Sequence, residues 1–248
     1  MRNLLLDIGN SSIKIAISSG NKIYNVKRYN YSKNNFTNII KKILKYNRKE
    51  FDSIGISCLN SDYRKILLNN IKNKYSINPF FVKFAHNLPI KLKYEKSLGN
   101  DRICSAVAAS MKYRNKKNIL IIDFGTAATY NFVSNNIFIG GLITPGILTS
   151  LQSLNSRANL PLTGIKNINN LITNNTKTNI LSGVIHQSLF TTEAIIKNLK
   201  KKYKNLFVIS TGGLAELIFK KSCLIDKIED NLVLEGINYI LLHNKKSS

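Results

Sequence analysis

The sequence is poor in proline, glycine and acidic residues, and it lacks any long apolar run. Only 4 prolines and 13 glycines occur among 248 residues, so there is little room for linkers. No stretch approaches the roughly 18 consecutive apolar residues of a candidate transmembrane helix. The apolar run at residues 4–6 is ended by Asp7 and is too short for a secretory signal. We therefore expect a compact cytoplasmic protein with no membrane partner.

Cysteine is also scarce, and its positions exclude two kinds of site. The three cysteines, Cys58, Cys104 and Cys223, are far apart in the sequence. They form no Cys-x-x-Cys pair and have no histidine at metal-ligand spacing. We expect all three to be free and reduced.

Positive charge is abundant by contrast, because 37 Lys and Arg face 13 Asp and Glu, for a net charge of +24. Such an excess first indicates a nucleic-acid partner. The basic residues are scattered along the chain, however, and lysine greatly outnumbers arginine. A joint excess of asparagine and isoleucine is typical of A+T-rich coding DNA and explains the charge more simply. We expect no dedicated nucleic-acid partner, although the charge would help to steer an anionic small substrate.

Hydrophobic periodicity shows the same order of elements twice along the chain. The first copy predicts strands at 4–6, 13–17, 22–26, 54–57 and 79–84, with helices at 36–46, 64–75 and 101–113. The second predicts strands at 119–122, 127–133, 137–139 and 206–209, with helices at 176–202, 214–220 and 232–243. This repetition predicts two like α/β domains, residues 1–116 and 117–248, that face each other across a cleft.

Each copy places an Asp-x-Gly loop directly after its first strand, at Asp7-Ile8-Gly9 and at Asp123-Phe124-Gly125. Glycine lets the backbone approach a phosphate, and the following N–H groups and small polar side chains can bind its oxygens. The aspartate can hold a metal cation. One such loop is weak evidence, but two at matching positions of a repeat are hard to obtain by accident.

The paired loops resemble the phosphate 1 and phosphate 2 motifs of the superfamily that joins acetate and sugar kinases, heat-shock chaperones and actin. The resemblance implies two duplicated actin-like, ribonuclease H-like ATPase domains. Fold analogy alone does not choose among the activities of this superfamily.

A segment between the two loops is more specific. Gly99-Asn100-Asp101-Arg102 resembles the Gly-Ala-Asp-Arg motif of type III pantothenate kinases. Three further matches lie at residues 140–146, 211–213 and 231–236, which resemble the family's Gly-Gly-x-Ile-x-Pro-Gly segment, its adenosine turn and its C-terminal segment. The resemblance therefore covers nearly the whole chain and implies ATP-dependent phosphorylation of pantothenate to 4'-phosphopantothenate, the first step of coenzyme A biosynthesis.

The resemblance also implies roles for particular residues. Asp101 would be the proton acceptor, and Gly99, Asn100, Asp101 and Arg102 would form the pantothenate loop together with Tyr94 and Thr176. The ATP phosphates would contact Asp7, Ile8, Gly9, Asn10, Ser11, Ser12, Ile13 and Lys14, while Thr126, Gly212 and Gly213 would bind the rest of ATP. Asp123 would help to bind a monovalent cation, potassium or ammonium, and a homodimer is implied. Magnesium at Asp7 follows from the chemistry of phosphoryl transfer.

The sequence departs from the family pattern at three positions. Asn100 replaces the usual Ala, and Asn131 stands where the second phosphate motif often has another Asp. Tyr94 lies at a shorter spacing before the motif, without an intervening Asn-Pro pair.

Simpler interpretations of these residues stay open at this point. Asp101 could be the N-cap of a helix that begins at Arg102, Arg102 could be a surface cation, and Thr176 could be a helix cap. Two other functions are also open. One is a catalytically weak relative that acts as a regulatory or nucleic-acid-binding accessory protein, and the other is a sugar or acetate kinase of the same fold.

Overall fold

The computed structural model describes residues 1–46, 48–161 and 164–246. The chain forms two compact units. Residues 1–113 and 231–248 form the first, and residues 114–230 form the second. This division differs from a simple cut at residues 116 and 117, because the C-terminal segment belongs to the first unit. Among the described residues, no helix is both long enough and apolar enough to cross a membrane.

The elements follow one another in a mixed α/β order. In chain order they are β1 (Arg2–Ile8), β2 (Ser12–Ser19), β3 (Lys22–Asn30), α1 (Phe36–Ile43), β4 (Ser53–Cys58), α2 (Ser61–Tyr75), β5 (Phe80–Phe81), β6 (Lys91–Leu92), α3 (Asn100–Lys112), β7 (Asn118–Phe124), β8 (Ala127–Ser134), β9 (Ile137–Pro145), α4 (Ile147–Ala158), α5 (Thr176–Lys202), β10 (Leu206–Thr211), α6 (Ala215–Phe219), β11 (Lys227–Ile228) and α7 (Leu232–Lys246).

The predicted duplication is present in the strands. In the first unit the sheet order is β3-β2-β1-β4-β5, with β1 antiparallel to β2 and parallel to β4. Within residues 114–230 the order is β11-β10-β7-β8-β9, with β7 antiparallel to β8 and parallel to β10. The strands β1 and β7 are both 7 residues long, and each is buried along its middle with a half-buried aspartate next to its last residue. The same strand plan therefore occurs twice.

Helix α7 explains why the C-terminal segment belongs to the first unit. A strand with parallel neighbours needs cover on both faces, and the two sides of the first sheet are covered by different helices. The aromatic and aliphatic side chains of α1 and α2 join one core with alternate residues of β1, β2 and β4. On the other side α7 packs on β4 so closely that a Cβ on Gly55 would lie 2.8 Å from Ile237 Cγ2.

A buried polar cluster ties α7 to the first hairpin. The Asn3 Nδ2 donates to Asn238 Oδ1 at 3.0 Å, and the Ser18 hydroxyl donates to the same oxygen at 2.7 Å. The Asn238 Nδ2 donates to the Gly20 carbonyl oxygen at 2.8 Å. Asn3, Ser18 and Asn238 are all buried, so these bonds replace water that the side chains have lost.

We expect Asn238→Ala to lower the free energy of unfolding by about 2 to 3 kcal/mol, because it leaves the buried polar groups of Asn3 and Ser18 without their acceptor. Urea denaturation measures the change. Asn244→Ala on the same helix is the control, since its amide donates to the Asn87 and Ile240 carbonyls at the exposed end of α7. Equal losses in the two variants would contradict a special role for the buried cluster.

Candidate functional site

The first loop is held in place by the residue that follows β3. The backbone N–H of Gly9 donates to the Ser12 carbonyl at 3.0 Å, which closes a tight connection between β1 and β2. The Tyr31 hydroxyl donates to the Gly9 carbonyl at 2.5 Å, and its backbone N–H donates to the Ser11 carbonyl at 3.1 Å. Sequence reasoning missed Tyr31, because its contact arises only when the meander folds back on the loop.

The loop residues divide into a supporting set and an exposed set. Ile8 and Ile13 have buried side chains, so only their backbone atoms could contact a ligand. Gly9, Asn10 and Ser11 are exposed at the end of the hairpin. Asp7 and Lys14 are half-buried and face each other as register partners on β1 and β2. The Ser12 hydroxyl accepts from the Arg28 guanidinium at 3.1 and 3.2 Å.

The motif at residues 99–102 lies at the start of α3 in the same unit. Gly99 is the N-cap, so Asp101 is the second helical residue and does not cap the helix. Its Oδ1 accepts the backbone N–H of Arg102 at 2.8 Å. The Asn100 amide donates to the Cys58 carbonyl at 3.3 Å, which ties the first turn of α3 to the end of β4. β4 pairs in parallel with β1, the strand that carries Asp7. The bond therefore places the motif one strand away from Asp7.

Arg102 is a buried residue rather than a surface cation, since only 7% of it is exposed. Its guanidinium carbon lies 5.4 Å from the centroid of the Tyr94 ring, which is itself 39% exposed. Tyr94 therefore lies beside the motif despite its shorter sequence spacing. A guanidinium fixed against a ring and removed from most water is suited to bind a carboxylate or phosphate.

Burial raises the pKa of the Asp101 carboxyl above its ordinary value, although the Arg102 backbone N–H and guanidinium act in the opposite direction. Burial likewise raises the pKa of the Cys104 thiol well above its usual range, and the charges of Asp7 and Asp101 raise it further. Both carboxylates therefore lie close enough to the Cys104 thiol on α3 to influence its pKa. The first unit therefore brings the Asp7 loop and Asp101 to one end of its sheet.

A side chain at position 99 would meet the neighbouring carboxylate. A Cβ built there would lie 2.6 Å from Asp101 Oδ1, so Gly99→Ala must displace that side chain. If the chain's reaction depends on the Asp101 carboxylate, we expect kcat to fall about 10- to 100-fold with little change in stability, because the displaced carboxylate loses its alignment with the reacting group. Steady-state kinetics measure the effect. In Gly183→Ala, where an added Cβ would meet no atom within 4 Å, the rate should be retained. A normal kcat in Gly99→Ala would contradict this account of Asp101.

The second unit carries a corresponding loop at the end of β7. Asp123 is the register partner of Thr211 on β10 and of Thr129 on β8. Gly212 has a φ of +96°, and a Cβ there would overlap Asp123 Oδ1 and lie 2.7 Å from the Phe124 nitrogen. The turn at 211–213 therefore lies directly against the Asp123 loop, where only glycine fits. Gly213 is exposed beside it, just before α6.

Helix α4 closes the other side of this loop and was absent from the sequence prediction. The Gly146 N–H donates to the Thr126 carbonyl at 3.1 Å, and the Thr149 hydroxyl donates to the same oxygen at 2.6 Å. A Cβ on Gly146 would lie 2.5 Å from that oxygen. The glycine-rich segment 140–146 was singled out in the sequence, but nothing in it predicted that a helix begins at Ile147.

Two remaining candidates have clear positions within the second unit. Thr176 is the exposed first residue of α5, and the helix is capped by Asn175, whose Oδ1 accepts from the Thr178 N–H at 3.1 Å. Thr176 is therefore not the cap. Asn131 is buried on β8, where its amide donates to the Thr129 hydroxyl at 3.1 Å.

Within the described ranges, no group of three or more His, Cys, Asp or Glu side chains is gathered as a metal site. A magnesium ion bound with ATP needs only one or two protein carboxylates, because phosphates and waters complete its shell. Asp7, half-buried at the start of the exposed Asp7 loop, fits that requirement. Asp123, a half-buried carboxylate next to the last residue of β7, fits a weakly held monovalent cation.

The two strand–Asp-x-Gly–strand units define the actin-like ATPase fold. Solved structures support this fold. A Campylobacter jejuni protein described as a Baf family transcriptional activator has a TM-score of 0.59 at 21% identity and covers 98% of this chain and 99% of its own. A ROK hexokinase from Thermus thermophilus has a TM-score of 0.51 at 12% identity and covers both chains completely.

The sequence profile of the type III pantothenate kinases matches residues 3–198. The chain is 35% identical to the type III pantothenate kinase of Christiangramia forsetii, over 98% of this chain and 99% of the relative. It is 31% identical to the corresponding enzyme of Bacillus cytotoxicus, over 97% and 98% of the two chains. The chain belongs to the type III pantothenate kinase family.

Proposed function

We propose that this kinase transfers the γ-phosphoryl group of ATP to the primary hydroxyl of pantothenate and yields 4'-phosphopantothenate and ADP, the first step of coenzyme A biosynthesis. One observation carries the assignment of the base: Asp101 lies in the first turn of α3, and the Asn100 amide of that turn donates to the Cys58 carbonyl at the end of β4, the parallel neighbour of the strand that carries Asp7. Family membership identifies the acceptor.

Phosphoryl transfer needs positioning and charge neutralisation more than covalent chemistry from the protein. The exposed Asn10 and Ser11, with the half-buried Ser12 and Lys14, would bind the phosphates of ATP. The second unit would bind the remainder of ATP through Thr126, Gly212 and Gly213. Support comes from the close packing of Gly212 and Gly146 against the Asp123 loop, because a side chain at either position would displace the loop.

The substrate motif suits an acceptor that carries a carboxylate at one end and a hydroxyl at the other. Arg102 would bind the anionic or polar groups of pantothenate, with Tyr94 packed against the guanidinium. Asn100 and the exposed Thr176 would add polar contacts. Burial keeps the Arg102 charge poorly hydrated, which strengthens its attraction to an anion.

In the reacting complex, the hydroxyl oxygen of pantothenate forms a bond to the γ-phosphorus while the bond from that phosphorus to the bridging oxygen breaks. ADP leaves with the electron pair, and Asp101 takes the hydroxyl proton. The raised pKa of Asp101 makes it a stronger proton acceptor than an exposed aspartate, provided that it is ionised at the working pH. Magnesium, when bound, supplies charge neutralisation at the phosphates.

Four further proposals concern the setting of the reaction. Magnesium at Asp7 is supported by the position of this carboxylate beside the phosphate loop, and potassium or ammonium at Asp123 by its place beside Gly212. A homodimer is supported by family resemblance. A cytoplasmic location is supported by the need for ATP and by three cysteines without disulfides.

A coupled assay for ADP release tests the function. The purified chain is incubated with ATP and magnesium, with potassium or sodium as the monovalent cation, and with pantothenate, acetate or a hexose as acceptor. We expect release that depends on pantothenate and is faster with potassium. Release with acetate or a hexose and none with pantothenate would contradict the proposal. Equal rates in potassium and sodium would refute only the cation assignment.

A further inference from the structure

A recess lined by positively charged side chains lies in the unit of residues 114–230, away from the Asp123 loop. It has a volume of about 760 Å³ and is lined by residues 115–118, by residues 202–207 and by Asp226. These segments lie where β7 and β10 begin, whereas Asp123 and Gly212 lie where the same strands end. Seven residues of strand separate the two ends by roughly 20 Å.

Four exposed lysines line this recess, namely Lys116, Lys117, Lys202 and Lys204. Asp226 is the one acidic residue in the lining, and its Oδ2 already accepts the Val208 N–H at 2.7 Å. Within the part of the chain that the structure describes, none of the four ammonium groups has a carboxylate partner. Their mutual repulsion is therefore relieved only by solvent and by bound anions.

Two aromatic rings line the same recess beside these lysines. The Lys116 ammonium lies 5.0 Å from the centroid of the Phe207 ring, and the Lys202 ammonium lies 5.6 Å from that of Tyr203. The Tyr203 ring is fixed because it packs against Phe132, with 4.4 Å between the centroids. Both rings remain partly exposed, so a flat group could contact them while its phosphates reach the lysines.

We propose that this recess is a binding site for an anion that carries a run of phosphate groups, separate from the ATP phosphate loop. Nucleoside polyphosphates and inorganic polyphosphate share this chemistry. The volume suits a small molecule of nucleotide size, because ligand pockets measure about 300 to 1,000 Å³. A run of phosphates can contact several lysines at once, which a single phosphate or carboxylate does not do.

A chain with so high a net charge has other basic grooves, and one of them provides the control. A recess of about 310 Å³ is lined by Lys41, Leu44, Asn70, Asn73 and Lys74, with two lysines and no aromatic side chain in its lining. The double variant Lys116→Ala/Lys204→Ala removes the same charge from the proposed site as Lys41→Ala/Lys74→Ala removes from the control recess. Any difference between them reports on the site and not on net charge.

Isothermal titration at low salt with inorganic tripolyphosphate, and separately with ADP, measures binding to the unmodified 248-residue chain and to both double variants. Besides any binding at the phosphate loop, we expect a second event that weakens at least 10-fold in Lys116→Ala/Lys204→Ala and less than 2-fold in the control. Catalysis should be unchanged in both, because the recess lies at the other end of the strands from Asp123. If ADP binds the second site more tightly than tripolyphosphate does, the ligand is a nucleoside polyphosphate. If the two bind equally, the site recognises the run of phosphates alone.

Three results would overturn the proposal. The first is a single binding event in the unmodified protein, and the second is an equal loss in the two double variants. The third is binding of a single-stranded oligonucleotide at this recess with no binding of tripolyphosphate or ADP, because that result would assign the surface to nucleic acid.

Discussion

Replacing Asp101 with Asn should lower kcat by about 100- to 10,000-fold, the range expected for loss of a general base. The substitution keeps the size of the side chain and an oxygen that can accept the Arg102 N–H, so the first turn of α3 should be preserved. The capacity to take a proton is removed together with the negative charge. Steady-state kinetics with saturating ATP measure the loss, and KM for pantothenate should change much less than kcat.

The direction in which Asp101→Asn changes the free energy of unfolding can also be predicted. Burial raises the pKa of folded Asp101 above its unfolded value, so the unfolded chain gives up this proton at lower pH than the folded chain. The contribution of Asp101 to stability is therefore favourable at low pH and is lost as pH rises from the unfolded pKa through the folded one. At neutral pH, Asp101→Asn should be as stable as the unmodified protein or more stable in urea denaturation.

Asp62→Asn is the matched control, because Asp62 is an exposed acid in the first turn of α2 and the charge change is the same. Its kinetics should be normal, and its stability should change by only a few tenths of a kcal/mol through the helix dipole. If Asp101→Asn were to keep its full kcat while remaining folded, Asp101 would not be the base.

Gly236→Ala should have the largest effect on folding, with a loss of about 3 kcal/mol or more in the free energy of unfolding. Gly236 lies on α7, and a Cβ there would lie 2.6 Å from the Cys104 Cα and overlap its carbonyl group. These are backbone atoms of α3, which cannot move aside as a side-chain end can. The helices must separate, and the buried surface that they share would lose its close packing.

Because α3 also carries Asp101, the folded fraction of Gly236→Ala should have a reduced kcat as well. Urea denaturation measures the stability, and kinetics below the transition measure the rate. Gly183→Ala, on a helix with open space around the added Cβ, should be neutral or more stable by about 0.5 to 1 kcal/mol. Similar stabilities of the two variants would show that α3 and α7 do not require this close approach.

Much of the strand plan could be predicted, because buried apolar runs and Asp-x-Gly loops are local signals. The helix predicted at 176–202 was confirmed at both ends, since a cap residue precedes it and a lysine run ends it. The helix predicted from residue 64 begins at Ser61, because the Asn60 side chain caps it and accepts the N–H groups of Asp62 and Tyr63. That cap was present in the sequence but was not used.

Long-range packing could not be predicted from local patterns. Helix α7 was correctly predicted as a helix, yet the sequence period does not say that it covers β1 and β4, more than 170 residues earlier in the chain. The strand expected at 79–84 is only Phe80–Phe81, because few of its residues have a partner on β4. Helix α4 was missed because its buried residues, Ile147 and Leu151, are too few to stand out.

The candidate site shows the same contrast between local signals, which could be predicted, and long-range packing, which could not. Motif residues could be identified by resemblance, but their environments could not: Arg102 is buried, Asp101 follows the cap, and Asn100 reaches the Cys58 carbonyl. Each of these facts depends on how α3 lies against β4. Tyr31 and Thr149, which hold the two loops, carry no sequence signal because their contacts form only in the folded chain.

The most direct test of the central claim is identification of the product. Pantothenate incubated with the protein, ATP and magnesium should gain one phosphoryl group on its primary hydroxyl, as mass spectrometry and ³¹P NMR would show, with one ADP formed for each phosphopantothenate. Asp101→Asn should form neither at a comparable rate. ADP release without phosphorylated pantothenate would contradict the account.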